Sequence, residues 1–324
     1  MSSSQTIVKQ RGAAILIAML VVTLVATLAA GLQWRQWRML QAESSARAQS
    51  QAGWVLVGAL DWARLILRED ARSAGIIGIV DHLGEPWALP LQEAKLTSFL
   101  TADSLQEAAL DPRSETVFLS GKITDAQSKL NLSNLMSNQS GQMVVSTAAL
   151  QSLTRLYQQL GLPAAELKNW LPRWQASSNQ QTASTSQGST DVALRPMRIE
   201  QLTWLGVPPS SIDRLKPHLT ILPQRTPVNL NTASAEVIFA AVPGIDMAAA
   251  QKLVRVRAQS PLQKTSDASN IMELGVNLLD TDFSVYSQYF EVRGRLRLGD
   301  WAVMEESLVL REGTNVKVVW RVRR

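Results

Sequence analysis

Hydrophobic and polar positions fall into four regimes along these 324 residues. The first is a block: residues 13–32 carry no charge, and only Thr23, Thr27 and Gly31 interrupt Ala, Ile, Leu, Met and Val. At about 1.5 Å per residue the run is roughly 30 Å long, the hydrocarbon thickness of a bilayer. In the second regime the apolar positions take helical spacing at Trp34, Trp37, Trp54, Val57, Leu60, Ile66 and Leu67. No proline occurs between Ala13 and Asp70, so block and stripe together predict one helix about 85 Å long. Trp34 and Trp37 suit either a membrane–water boundary or packing on neighbouring protein.

The third regime is broken. Helical patterning ends near Gly75, and Pro86, Pro90 and Pro112 leave space only for a short helix around 91–101. Residues 116–124 alternate as a strand, and 125–132 predict a turn and a second extended stretch. Helices are predicted over 150–160 and 164–171, with Gly161 and Pro163 between them. Residues 176–190 are Ser, Thr, Gln and Asn with almost nothing apolar, too little to offset ordering entropy, and predict a mobile loop. Structure resumes at 199–205 and 208–215. A helical hairpin follows over 231–242 and 247–258, turning at Pro243 and Gly244 with Thr232 as N-cap. In the fourth regime strict alternation over 289–298, 301–311 and 315–322 predicts antiparallel strands, with a hairpin turn at Glu312, Gly313 and Thr314.

Composition excludes more than it assigns. The chain has no cysteine, hence no disulfide, thiol nucleophile or thiolate metal site. Its net charge of +5 is too small to imply nucleic acid. The two histidines, His82 and His218, lack a Gly-x-Ser-x-Gly context and a companion acid, and read as surface or loop residues. Asp61, Glu69 and Asp70 read as a solvated helix face, and Gly75 and Gly78 lack the Lys-Ser/Thr of a phosphate loop. No enzyme is expected, and no catalytic or cofactor-binding residue is assigned.

The apolar block admits three readings. A signal peptide has a shorter core and a small-residue cleavage site, for which Thr27-Leu28-Ala29 is a poor candidate. A plain anchor fits the length, with Lys9 and Arg11 holding the N-terminus in the cytoplasm. The third rests on the order Lys9-Gln10-Arg11-Gly12 before the block, which resembles the prepilin class. That resemblance implies peptidase cleavage between Gly12 and Ala13, with N-methylation of Ala13 as an option. Cleavage would leave 30 basic against 27 acidic residues. Most pilins carry Glu at the fifth mature position, where this chain has Ile17. An intramembrane carboxylate survives only when paired, and Ile17 removes the group that would pair with a neighbour's amine.

Internal blocks extend the resemblance. Val228-Asn229-Leu230-Asn231-Thr232-Ala233, followed by Pro243-Gly244 and a basic helix, looks like a helix-hairpin-helix element. In nucleic-acid-binding versions a second glycine stands where this chain has Asp246, whose carboxylate opposes phosphate. Lys252, Arg255 and Arg257 are the cations such binding would use. Taken with Asp125-Ala126-Gln127-Ser128-Lys129-Leu130-Asn131-Leu132, Lys216-Pro217-His218-Leu219 and Ser287-Gln288-Tyr289-Phe290, the ordered set resembles the K-type minor pseudopilins of type II secretion, the general secretion pathway protein K family.

That resemblance implies an α+β fold, a pilin-like long N-terminal helix on an antiparallel sheet with a large helical insertion. It divides the chain into a leader (1–12), a transmembrane part (13–32), a periplasmic helix (33–72), a first pilin-like part (73–137), a helical insertion (138–282, with 176–190 as loop) and C-terminal strands (283–324). It implies a single-pass inner-membrane protein with a cytoplasmic N-terminus and a periplasmic bulk, processed by prepilin peptidase. Its partners would be other minor pseudopilins at a pseudopilus tip, and secreted substrate, without nucleic acid. The family's calcium region aligns with Lys168, Asn169, Trp170, Leu171, Pro172 and Arg173 and with Gly188, Ser189, Thr190 and Asp191. Only Asp191 keeps a carboxylate, so no calcium site is expected. A membrane-anchored DNA-binding protein of a competence system and a type IV pilus minor pilin remain as alternatives.

Overall fold

The computed structural model describes residues 11–73, 80–96, 117–139, 142–179, 194–275, 278–299 and 301–324. The chain divides into two compact units, Met1–Val55 and Leu56–Arg324. The described residues of the first are helical: α1 (Arg11–Ser73, 63 residues) begins in it and ends in the second. Within it the stretch Ala13–Glu43 is long and apolar enough to cross a membrane, and its large apolar side chains are exposed. Thr23 and Thr27 donate their hydroxyls to the carbonyls of Leu20 and Leu24, both at 2.9 Å, so neither brings an unpaired donor into that stretch.

The second unit opens with β1 (Leu91–Lys95) and β2 (Val117–Asp125), passes through β3 (Leu130–Asn131), β4 (Met136–Gln139) and β5 (Gln142–Val145), and enters helices α2 (Thr147–Gln159) and α3 (Ala164–Asn179). After α4 (Pro209–Leu215) come β6 (Leu219–Thr220), β7 (Val228–Asn229), α5 (Ala235–Ala241), α6 (Met247–Gln259), α7 (Thr265–Ile271) and β8 (Phe283–Ser284). The chain ends in β9 (Tyr289–Leu298), β10 (Trp301–Glu312) and β11 (Asn315–Arg323).

The main sheet is antiparallel in the order β1-β2-β9-β10-β11. Strands β2 and β9 lie side by side from Val117↔Leu298 to Asp125↔Phe290, so everything between them leaves and re-enters the sheet at one place. The inner face buries Ile123, Phe290, Val292, Val309 and Val316 against Leu60, Ala63 and Leu67 of α1, which recur at helical spacing. Trp87 closes this core edge-on to Phe290 at 5.2 Å. Gly294 permits the close approach, because a Cβ there would lie 3.1 Å from Leu56 Cδ2. The outer face is covered over its upper part only, where Tyr289 and Leu308 pack with Ala126 and Leu222.

Between β2 and β9 two further cores form. One gathers Leu132, Leu135, Leu153, Leu156, Tyr157, Trp170, Trp174 and Leu205; the other holds Leu230, Val237, Ile238, Leu253 and Phe283. Leu132, Leu135 and Met136 belong to the first core although they precede residue 138. Arg155 of α2 joins α5 by donating to the Ala240 carbonyl at 2.9 and 2.6 Å.

Four local expectations are corrected. Residues 91–95 form an edge strand, not the start of a helix, because Leu91, Ala94 and Lys95 pair with Gly121, Leu119 and Phe118. Helix α3 continues past Pro172 to Asn179, so 176–179 are helical; Trp170 and Trp174 are fully buried on either side, which outweighs a proline cost of about 3 kcal/mol. The N-cap of α5 is Ser234, whose side chain accepts from Val237 N, whereas Thr232 lies two residues earlier. The predicted second extended stretch is a 3₁₀ turn on each side of a two-residue strand. Gly75, Gly78, residues 180–190 of the expected loop, and Gly188, Ser189, Thr190 and Asp191 lie outside the described residues.

Candidate functional site

The sequence-selected residues fall in separate places. Gly12, Ala13 and Ile17 lie in the first turns of α1, where Ile17 is 63% exposed among equally exposed apolar neighbours. Pro243 and Gly244 are exposed in the turn between α5 and α6, and Gly244 takes a positive φ of 81°. Asn229, Asn231, Thr232 and Ala233 are buried in the second unit, beside the Asp125 block.

Three motif residues repeat one local device. Asp125, Asn131 and Asn229 each accept, through a side-chain oxygen, the backbone N–H two residues ahead: Gln127 at 2.7 Å, Ser133 at 3.0 Å and Asn231 at 2.9 Å. Such Asx turns stop a strand and leave the remaining side-chain groups pointing across the fold. The second Asp125 oxygen accepts from Asn229 Nδ2 at 3.1 Å, from Ser287 Oγ at 2.6 Å and from Thr232 Oγ1. Asn131 donates to Gln224 O at 2.7 Å and Thr226 Oγ1 at 3.1 Å, and also accepts from Leu222 N at 3.1 Å. Asn231 bridges to Leu262 through both amide atoms at 2.9 Å, and Ala233 N donates to Asn229 O at 3.0 Å. Gln127 Oε1 accepts from Gln288 N and Tyr289 N at 2.7 and 3.2 Å. The motif blocks are thus the buried polar seam that joins the helical region to the sheet.

A second buried cluster was not legible beforehand. Arg311 is 3% exposed and spans Asp70, at 2.6 Å, and both oxygens of Asp81, at 2.6 Å. It also donates to Ser287 O at 2.9 Å and lies 4.8 Å over the Phe290 ring. Asp70 is therefore no solvated face residue, although Asp61 and Glu69 pair with Arg64 and Arg72 on the surface of α1. Glu85 stands nearby and accepts from His82 N at 3.0 Å and Trp87 Nε1 at 2.6 Å. Burial pushes Asp70 and Asp81 above the ordinary carboxylate value against the pull of Arg311. It pushes Glu85 up to about 7 and Asp125 up to about 6.

The Asp70, Asp81 and Glu85 oxygens approach within 4.8 Å of one another, but the guanidinium of Arg311 already supplies the cation to two of the three. Where the family's calcium region would lie, Trp170 Nε1 donates to Tyr157 Oη at 3.0 Å and Arg173 to Leu205 O at 2.9 Å.

The hairpin is poorly furnished for phosphate. Arg257 is buried and donates to the carbonyls of Leu230 and Ala233, and burial holds its pKa down to about 10. Lys252 pairs with Glu273 at 2.6 Å. The Asp246 carboxylate caps α6 by accepting from Ala249 N at 2.8 Å, placing negative charge where a phosphate would sit. Of the three cations expected there, only Arg255 is exposed without a described ion-pair partner.

Comparison with known proteins follows the same seam. The family models described as type II secretion system, protein K match residues 128–224 and 228–285. A type II secretion system protein K from Pseudomonas aeruginosa is 28% identical over 307 residues, covering 90% of this chain and 86% of that protein. Another, from Klebsiella pneumoniae, is 25% identical over 336 residues, covering 97% and 96%. A chain in the crystal structure of the GspK-GspI-GspJ complex from the enterotoxigenic Escherichia coli type 2 secretion system shares the fold, with a TM-score of 0.59 and 18% identity over 86% of this chain and 98% of that one.

Proposed function

Because this chain belongs to the type II secretion system protein K family, a pseudopilin component of that system, we propose that it starts or caps the tip of a periplasmic pseudopilus beside other minor pseudopilins. Prepilin peptidase cuts between Gly12 and Ala13, and the mature helix anchors the protein once in the inner membrane with its bulk in the periplasm. The observation that carries the tip reading is Ile17. With no carboxylate before Glu43 on this helix, the subunit offers nothing inside the bilayer to bind the N-terminal amine of a further subunit. The helical mass between β2 and β9 supports the same reading, since a repeating shaft subunit has to accept a copy above it. The fold shared with a chain of the GspK-GspI-GspJ complex supports minor pseudopilins as neighbours.

The test has two parts. Mass spectrometry of the protein from membranes should find Ala13 at the N-terminus. Quantitative labelling of sheared filaments should place the protein at one end. An N-terminus at Met1, or even labelling along the filament, would overturn the reading.

A further inference from the structure

The outer face of the main sheet is covered only at its upper end. Below Glu291 and Leu308 the cross-strand rows read Lys122↔Arg293↔Glu306 and Ser120↔Arg295↔Met304. These side chains line an open cleft of about 390 Å³, bordered by Lys216 and Arg324. Met304 in its floor is 53% exposed.

The charges of the cleft are unequally matched. Arg293 is held by Glu291 and Glu306 at 3.4 and 2.7 Å, Lys216 by Glu200 at 2.6 Å, and Arg324 by Glu200 and Glu306 at 3.4 and 3.9 Å. Arg297, next along β9, is held by Glu93 at 2.5 Å. Lys122 and Arg295 are both exposed and have no acidic partner among the described residues. They are diagonal neighbours across β2 and β9, a relation that separates Cα atoms by about 7–8 Å. Carboxylates two residues apart on an extended chain are about 6.7 Å apart, which matches.

We propose that this cleft is a docking surface for an acidic, extended segment of another protein, with two carboxylates at i and i+2, on one face of that segment, seated on Lys122 and Arg295. Charge complementarity favours this occupant. Glu291, Glu306 and Glu200 hold the neighbouring cations, Glu291 being shared with Lys129 at 3.1 Å, so that among the described residues Lys122 and Arg295 are the cations lining the cleft that have no acidic partner, a pair that suits two carboxylates. The proposal does not use Ile17 and does not depend on the tip assignment.

The experiment uses the full chain in detergent micelles and a fluorescent peptide alternating Glu with Ser and Leu, read by polarisation at 50 and 150 mM salt. Binding is expected and should weaken roughly 2- to 30-fold in Lys122→Ser/Arg295→Ser, the range set by two exposed charge pairs. It should be unchanged in Lys168→Ser/Arg255→Ser, which removes equal charge from elsewhere on the surface. No binding to the wild type, equal loss in both variants, or equally tight binding of polyphosphate would each overturn the proposal.

Discussion

Replacing Arg311 with Met probes the buried ion-pair cluster it forms with Asp70 and Asp81. Met keeps much of the side-chain volume, so the change removes charge and hydrogen bonds with little cavity. It deletes the contacts to Asp70 and Asp81 at 2.6 Å and to Ser287 O at 2.9 Å. Asp81 is 0% exposed and is left with the Ser287 N–H, at 2.7 Å, but no cation. Stranding one member of a buried ion pair costs about 3–5 kcal/mol. The cost should depend on pH. Burial already holds Asp70 and Asp81 above their ordinary value with Arg311 present, and its removal lifts them further. A carboxyl raised in the folded state has its stability contribution intact below its unfolded pKa and loses it as pH rises through the folded one. The penalty should therefore be full at pH 8 and smaller at pH 5. Urea unfolding of the micelle-bound protein, followed by tryptophan fluorescence at both pH values, measures this. A loss below about 1 kcal/mol at pH 8, or one equal at both pH values, would refute the reasoning.

Three further outcomes are expected. Burial raises Glu85 to about 7 from 4.5, so its contribution to stability falls between pH 4.5 and 7 by on the order of 3 kcal/mol; Glu85→Gln should remove that slope from a pH series of unfolding curves, and an unchanged slope contradicts it. Asn131→Ala strands Ser133 N and Leu222 N in the interior and should cost about 2–4 kcal/mol, while an exposed control such as Asn315→Ala should stay within about 0.5 kcal/mol in the same denaturation assay. Calorimetry should detect no micromolar Ca²⁺ binding; binding that disappears in Asp191→Ala would show that the family's calcium region still works.

Periodicity carried the elements whose side chains face one core. The stripe Leu60, Ala63 and Leu67 and the alternation of β9 to β11 both report a single apolar partner surface, and both were readable. The pattern failed at 91–95, where Leu-Gln-Glu-Ala-Lys has good helix formers but takes its conformation from pairing with β2. Residue types and spacing marked the Asp125, Asn131 and Asn229 blocks as special without saying why. Their partners lie far along the chain, with 107 positions separating Asp125 from Thr232, so no local window contains the reason. The Asx turn was the available clue, since Asp-Ala-Gln, Asn-Leu-Ser and Asn-Leu-Asn place the same acceptor two residues before an N–H. Asp81 and Arg311 gave no such signal: a single Asp in a Pro-broken segment and a single Arg on an alternating strand look like surface residues until the fold brings them together.

The pairing of β2 with β9 has a consequence for assembly order. Val117 and Leu298 are register partners separated by the whole helical region, so the sheet has very high contact order. As the chain emerges from its N-terminus, β2 is present long before β9, β10 and β11, and its open edge must wait while the helical cores form behind it. The neck at Asp125 then brings the two strands into reach, because the carboxylate that stops β2 also binds Ser287, two residues before β9 begins. Closing that neck turns a loop of about 160 residues into a short local connection, and the sheet can zip shut as if β2 and β9 were a hairpin.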